Sequence, residues 1–155
     1  MASIHDCIKE ADINKLKKLL KEFPKSIDEK DERGFPAIVL ATYGQNIEVT
    51  SLLLDSGVEI DQKDSAGNTA LMGVTYKGNT EIVRMLIDAG ANINAKNFTN
   101  ATPLIYAAMF GQHNIAKLLI ENGADTTVKD GKGYSAIDHA RMKEDKEMEK
   151  LLKTQ

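Results

Sequence analysis

A period of 33 residues constrains what this chain can fold into more than any other feature. The pairs Gly57-Val58, Gly90-Ala91 and Gly123-Ala124 are spaced 33 apart. The same step relates Asp31, Asp64, Asn97 and Asp130, and Ala37, Ala70, Pro103 and Ala136. It also relates Ile38, Leu71, Leu104 and Ile137, and Leu53, Leu86, Leu119 and Leu152. So many columns in step mean a repeat architecture, in which each unit buries its apolar face only by stacking on a neighbour.

Each unit reads as a turn and two helices. Asp64-Ser65-Ala66-Gly67 carries the residues favoured at the two ends of a type I turn. Thr69 and Thr102 are N-caps, and Pro103 suits a first helical position. A short helix is expected from Ala70 to about Lys77, then a break at Gly78-Asn79. A second helix is expected over Thr80 to Ala89, with Ile82, Val83, Leu86 and Ile87 on one face. Gly90 suits a left-handed helix end, and Ala91-Asn92-Ile93-Asn94 reads as an extended run into the next turn.

This pattern resembles the ankyrin repeat. Thr102-Pro103-Leu104-Ile105-Tyr106-Ala107-Ala108 followed by Gly111 is close to the family's T-P-L-H-x-A-A-x-x-G. Leu118 to Asp125 is close to its second-helix ending. The resemblance implies an all-α solenoid of stacked helix-turn-helix units with short finger turns, spanning residues 1–155 as one domain. Residues 31–63, 64–96 and 97–129 are full repeats, with 1–30 and 130–155 as capping repeats. Lysines on the first unit and the Lys143–Lys150 stretch on the last supply polar outer faces, so both ends are expected to be closed. Two departures stand out. The family's histidine is replaced by Val39, Met72, Ile105 and Asp138. The helix-breaking glycine column holds Gln45, one residue after Gly44, and Glu144, where local irregularity is expected.

Composition narrows function by exclusion. The chain has 20 Lys and Arg against 23 Asp and Glu, a net charge of -3, which does not favour nucleic acid. The lysines between Lys9 and Lys30 are interleaved with acids and form no unbroken basic patch. No apolar run approaches the roughly 20 residues of a membrane span. No signal peptide pattern opens the sequence, and one cysteine, Cys7, allows no internal disulfide, so a reducing cytoplasm is expected.

Candidate chemistry is sparse. His5 and Cys7 lie two apart, which is no zinc spacing, and read as the surface of a capping helix. Asp138 and His139 are adjacent, and neighbours on a helix point about 100° apart, so the pair reads as structural. His113 reads as a loop or helix-start residue. Gly131-Lys132-Gly133 lacks the following Ser or Thr of a phosphate loop and falls in the register of a finger turn. Paired acids such as Glu147 and Glu149 read as solvated. The expectation is a non-enzyme with no cofactor and no metal.

Function should then lie in the columns that vary. The resemblance implies that the finger tips and the exposed face of each first helix line a concave groove that binds protein. Those columns hold six of the chain's eight aromatic residues: Phe35, Tyr43, Tyr76, Phe98, Phe110 and Tyr134. Chance would place about one there, and aromatic residues carry much of the energy at interface centres. With Arg33, Lys77, Met109 and Lys132 they make up the candidate groove site. Packing against a neighbouring finger is the competing role, above all for Phe35 and Tyr134. Phe23 and Tyr106 fall outside the columns and read as packing residues. The expected partner is a protein of unknown identity, offering an acidic segment with apolar anchors to a monomer. An exported effector or inhibitor acting on a host protein and a purely structural stack are the alternatives.

Overall fold

The computed structural model describes residues 2–153, and among them ten α-helices form five antiparallel pairs. The inner helices are α1 (Ile4–Glu10), α3 (Ala37–Tyr43), α5 (Ala70–Lys77), α7 (Pro103–Met109) and α9 (Ala136–Met142). The outer helices are α2 (Ile13–Glu22), α4 (Ile47–Asp55), α6 (Thr80–Asp88), α8 (His113–Glu121) and α10 (Lys146–Lys153). Each inner helix packs on the next inner helix and on its own outer partner. The described residues contain no strand, only an isolated antiparallel bridge between Lys30 and Pro36. The result is an all-α repeat solenoid.

The repeating columns are the core. Ile38, Leu71 and Leu104 are buried between inner helices, and Leu53, Leu86 and Leu119 between outer ones. Val39, Met72 and Ile105, in the column of the missing histidine, are also buried, so packing takes the place of its hydrogen bonds. The fourth member, Asp138, accepts from the backbone N–H and hydroxyl of Ser135 at the start of α9 (2.9 and 3.0 Å). Thr69 and Thr102 cap α5 and α7 as the sequence implies.

The glycine-break column stays regular. Gly78 and Gly111 take left-handed φ of 80° and 65°, and Gln45 and Glu144 take 57° and 55°. Gly44 itself is ordinary right-handed backbone. The expected irregularity is absent because the hydrogen bonds dictate the turn. The next N–H reaches back to an inner-helix carbonyl in each of these four units: Asn46 to Ala41, Asn79 to Val74, Gln112 to Ala107, Asp145 to Ala140. Side chains at Gln45 and Glu144 tolerate a strained backbone to keep that closure.

Three sequence readings are corrected here. Ile93-Asn94 is not extended; it forms a tight turn in which Asn92 Oδ1 accepts from the Asn94 N–H (3.0 Å). His5 and Cys7 are buried in the first unit, not on its surface, and burial pushes the Cys7 thiol up. Glu149 is buried, not solvated, and takes Arg141, Lys146 and Lys153 at 3.3, 3.3 and 4.0 Å. Glu147 does stay exposed.

Leu86→Ala or Leu119→Ala is expected to destabilise the protein by about 2–5 kcal/mol in urea unfolding, since neither side chain has any exposed surface. Glu144→Gly is expected to do the reverse. Relief of about 1–2 kcal/mol of left-handed strain outweighs glycine's entropic cost of about 0.5–1 kcal/mol. The denaturation midpoint should rise.

Candidate functional site: the concave groove

One interaction builds every finger. The Oδ1 atom of the turn residue accepts from two backbone N–H groups, two and four residues on. Asp31 takes Arg33 and Phe35, and Asp64 takes Ala66 and Asn68. Asn97 takes Thr99 and Ala101, and Asp130 takes Lys132 and Tyr134. All eight distances lie between 2.9 and 3.0 Å. The held residues are those of the candidate columns, so the turn chemistry itself presents the site. Neighbouring fingers are tied at their tips, by Phe98 N–H to Ala66 O (3.1 Å) and Gly131 N–H to Thr99 O (2.8 Å).

The second polar atom of each turn residue is used differently. Asp31 Oδ2 lies 3.9 Å from both Lys9 Nζ and Arg33. The Asn97 amide donates to Asn68 Oδ1 (2.9 Å) and to the Tyr106 hydroxyl (3.1 Å). Asp130 Oδ2 lies 2.7 Å from His139 Nε2. His139 therefore answers Asp130 across its own turn, not the adjacent Asp138. His113 likewise meets a carboxylate, Asp145, at 2.8 Å, and stitches α8 to the start of α10. No nucleophile stands against either histidine, and no metal-holding cluster occurs among the described residues.

The groove contains one pocket of about 510 Å³. Its walls are Phe35 with Arg33 from the Asp31 finger, Leu40 and Tyr43 from α3, Tyr76 from α5, and Tyr106, Met109 and Phe110 from the third full unit. Asp64, Asn68, Thr69, Val39 and Gly73 complete it. Phe110 packs edge-to-face on Tyr76 (ring centroids 4.8 Å apart) and on Tyr106 (5.7 Å). The Tyr106 hydroxyl donates to Asn68 Oδ1 at 3.1 Å, which fixes that ring. Lys77 Nζ sits 4.4 Å over the Tyr43 ring and the Arg33 guanidinium 5.1 Å over Phe35.

The pocket gathers Arg33, Phe35, Tyr43, Tyr76, Met109 and Phe110, with Lys77 on its edge. Phe98, Lys132 and Tyr134 lie apart. Phe98 is the most exposed large apolar residue, at 72%, although its ring lies against Gly67 of the preceding finger. Tyr134 packs edge-on against His139. Tyr106 packs against the core, as its sequence reading has it, and is in addition a wall of the groove. Phe23 is half exposed at the N-terminal unit and is not core. The missed column is Leu40, Gly73 and Tyr106. It lies three or four residues before Tyr43, Tyr76 and Phe110, so helical periodicity alone places it on the same face.

A model of ankyrin repeats matches the chain in three copies, over residues 4–97, 64–130 and 95–154. The chain belongs to the ankyrin-repeat family. These repeats are generally protein-interaction modules and typically non-catalytic. No curated protein matches the chain. No helix among the described residues is long and apolar enough to cross a membrane.

The turn carboxylates carry a pH dependence. Burial opposes ionisation of Asp130, but the Tyr134 N–H, His139 and the Lys132 N–H outweigh it and hold the carboxyl below the usual range. Asp31 and Asp145 are lowered against burial in the same way, chiefly by the Phe35 and Met148 N–H groups. A carboxyl depressed on folding adds stability that is complete above its unfolded value, near 4, and lost as pH falls through the lower folded value. Urea midpoints are therefore expected to drop on acidification from about pH 5 to pH 2. Asp130→Asn, which keeps a turn acceptor as Asn97 does, should flatten part of that drop.

Proposed function

We propose that this protein is a non-catalytic binding module that holds a segment of a partner protein in its concave groove. In this reading it works as a monomer in the cytoplasm, with residues 1–30 and 130–155 as caps. The observation that carries it is the aromatic pocket. Five aromatic side chains, from three consecutive units, already line an open space before any partner arrives. Pre-ordered rings lower the entropic cost of association. Arg33 and Lys77 on adjacent ring faces favour acidic residues beside an apolar anchor. A purely structural stack gives no reason for exposed aromatic residues to cluster on one face.

The test compares the natural chain with Tyr76→Ala/Phe110→Ala in affinity capture from the source cells, with bound proteins identified by mass spectrometry. A protein held by the natural chain and lost by the variant supports the groove. One held equally by both places the site on another face. The edge-to-face pair contributes about 1 kcal/mol, so the variant should melt only slightly lower and far above Leu86→Ala.

A further inference from the structure

The pocket has a floor and a carboxylate oxygen without a partner, and together they favour one kind of occupant. The inner-helix column facing the groove runs Leu40, Gly73, Tyr106, His139. Only Gly73 lacks a side chain. It lies in the middle of α5, where glycine weakens a helix relative to alanine. Backbone conformation does not demand it, because Gly73 is not among the left-handed residues. Crowding does not demand it either. An added Cβ would find Tyr43 Cδ2 at 3.6 Å, an ordinary contact. What the glycine provides is depth between Leu40 and Tyr106.

That carboxylate oxygen is Asp64 Oδ2. In the other three turns the corresponding atom meets Lys9 and Arg33, Asn68 and Tyr106, or His139. Asp64 Oδ1 closes its own turn, and Oδ2 has no partner among the described residues, yet Asp64 lines the pocket. An occupant that covers this carboxylate must bring a donor, since a polar group buried without a hydrogen bond is costly. A partner lysine or arginine would bring one, but would enter beside Arg33 and Lys77, which repel it. A phenylalanine or leucine would bring none. An indole N–H or phenol O–H offers a neutral donor on a ring that suits aromatic walls.

We propose that this pocket seats a tryptophan or tyrosine side chain of a partner's peptide segment. The ring lies over Gly73, its N–H or O–H donates to Asp64 Oδ2, and acidic neighbours in the segment meet Arg33 and Lys77. The proposal rests on the groove-binding reading and adds the identity of the anchor. A space of about 510 Å³ holds one large ring and the chain on either side of it.

The test uses acetylated pentapeptide amides, Asp-Glu-Xaa-Glu-Asp, with Trp, Tyr, Phe, Lys or Ala at the centre. The chain contains no tryptophan, so peptide fluorescence reports binding directly and the other peptides are read by competition. The Trp emission should shift to the blue on binding, with the Tyr peptide close in affinity. The Phe peptide should bind about tenfold more weakly, the worth of a hydrogen bond to a charged acceptor. Asp64→Asn keeps the turn, as Asn97 shows, but offers a donor in place of an acceptor. It should weaken the Trp peptide about tenfold relative to the Phe peptide, whose own binding should hold or tighten because no unpaired carboxylate is covered. Gly73→Leu should abolish binding of every peptide while the melting temperature holds or rises. Equal binding of the Trp and Phe peptides, tightest binding of the Lys peptide, or no effect of Gly73→Leu would each overturn the proposal. So would the absence of binding by all five peptides at millimolar concentration. If Gly73→Leu keeps a captured natural partner that Tyr76→Ala/Phe110→Ala loses, the groove stands and the anchor falls.

Discussion

One side-chain oxygen holding two backbone amides is the contact on which the rest of this molecule depends. It occurs at Asp31, Asp64, Asn97 and Asp130, and it converts four short loops into fingers of nearly identical shape. Identical fingers let the inner helices that follow them start in register. Registered inner helices bury Ile38, Leu71 and Leu104 in one continuous core. The same oxygen leaves the second atom of each turn residue at liberty. Variation there leaves the turn itself closed, and that is where the units differ: a cation pair, an empty acceptor, an amide network and a histidine.

Stacking also shapes the contacts between units. The helix pairs pack chiefly on their neighbours along the chain. At the C-terminal end Glu149 draws three cations around a buried carboxylate. Between units, a second set of side-chain oxygens crosses from each repeat to the next: Asp28 to the Glu59 N–H, Asp61 to Asn92, Asn94 to Asp125. None of the residues in these links lines the groove pocket.

The fold was legible in the sequence because its signal is redundant. Every core column is repeated, so a departure such as Gln45 or Glu144 is outvoted by its neighbours. The backbone follows the column, and the residue at it bears the strain. The rings of the groove were legible for a similar reason, since Tyr43, Tyr76 and Phe110 fall in columns with known exposure. The pocket was not. Its depth comes from Gly73, which reads in sequence as an indifferent helix residue, and its far wall from Tyr106, which reads as packing. Neither has a repeated counterpart, because a pocket is a difference between units and a repeat search looks for sameness. Side-chain contacts such as His139 with Asp130 were hidden too. Adjacency drew attention to Asp138, while the helix carried the ring back toward the turn nine residues earlier.

The walls of the pocket come from three consecutive units, and this gives it a mechanical character. A solenoid has no closing contact between its ends, so it flexes as a spring does, by small changes of angle between neighbours. Flattening the curve of the stack moves Tyr43, Tyr76 and Phe110 apart, and tightening it brings them together. The width of the pocket is thus a gauge of local curvature. Anything seated between those rings acts as a strut, stiffening the middle of the molecule while the two ends remain as compliant as before.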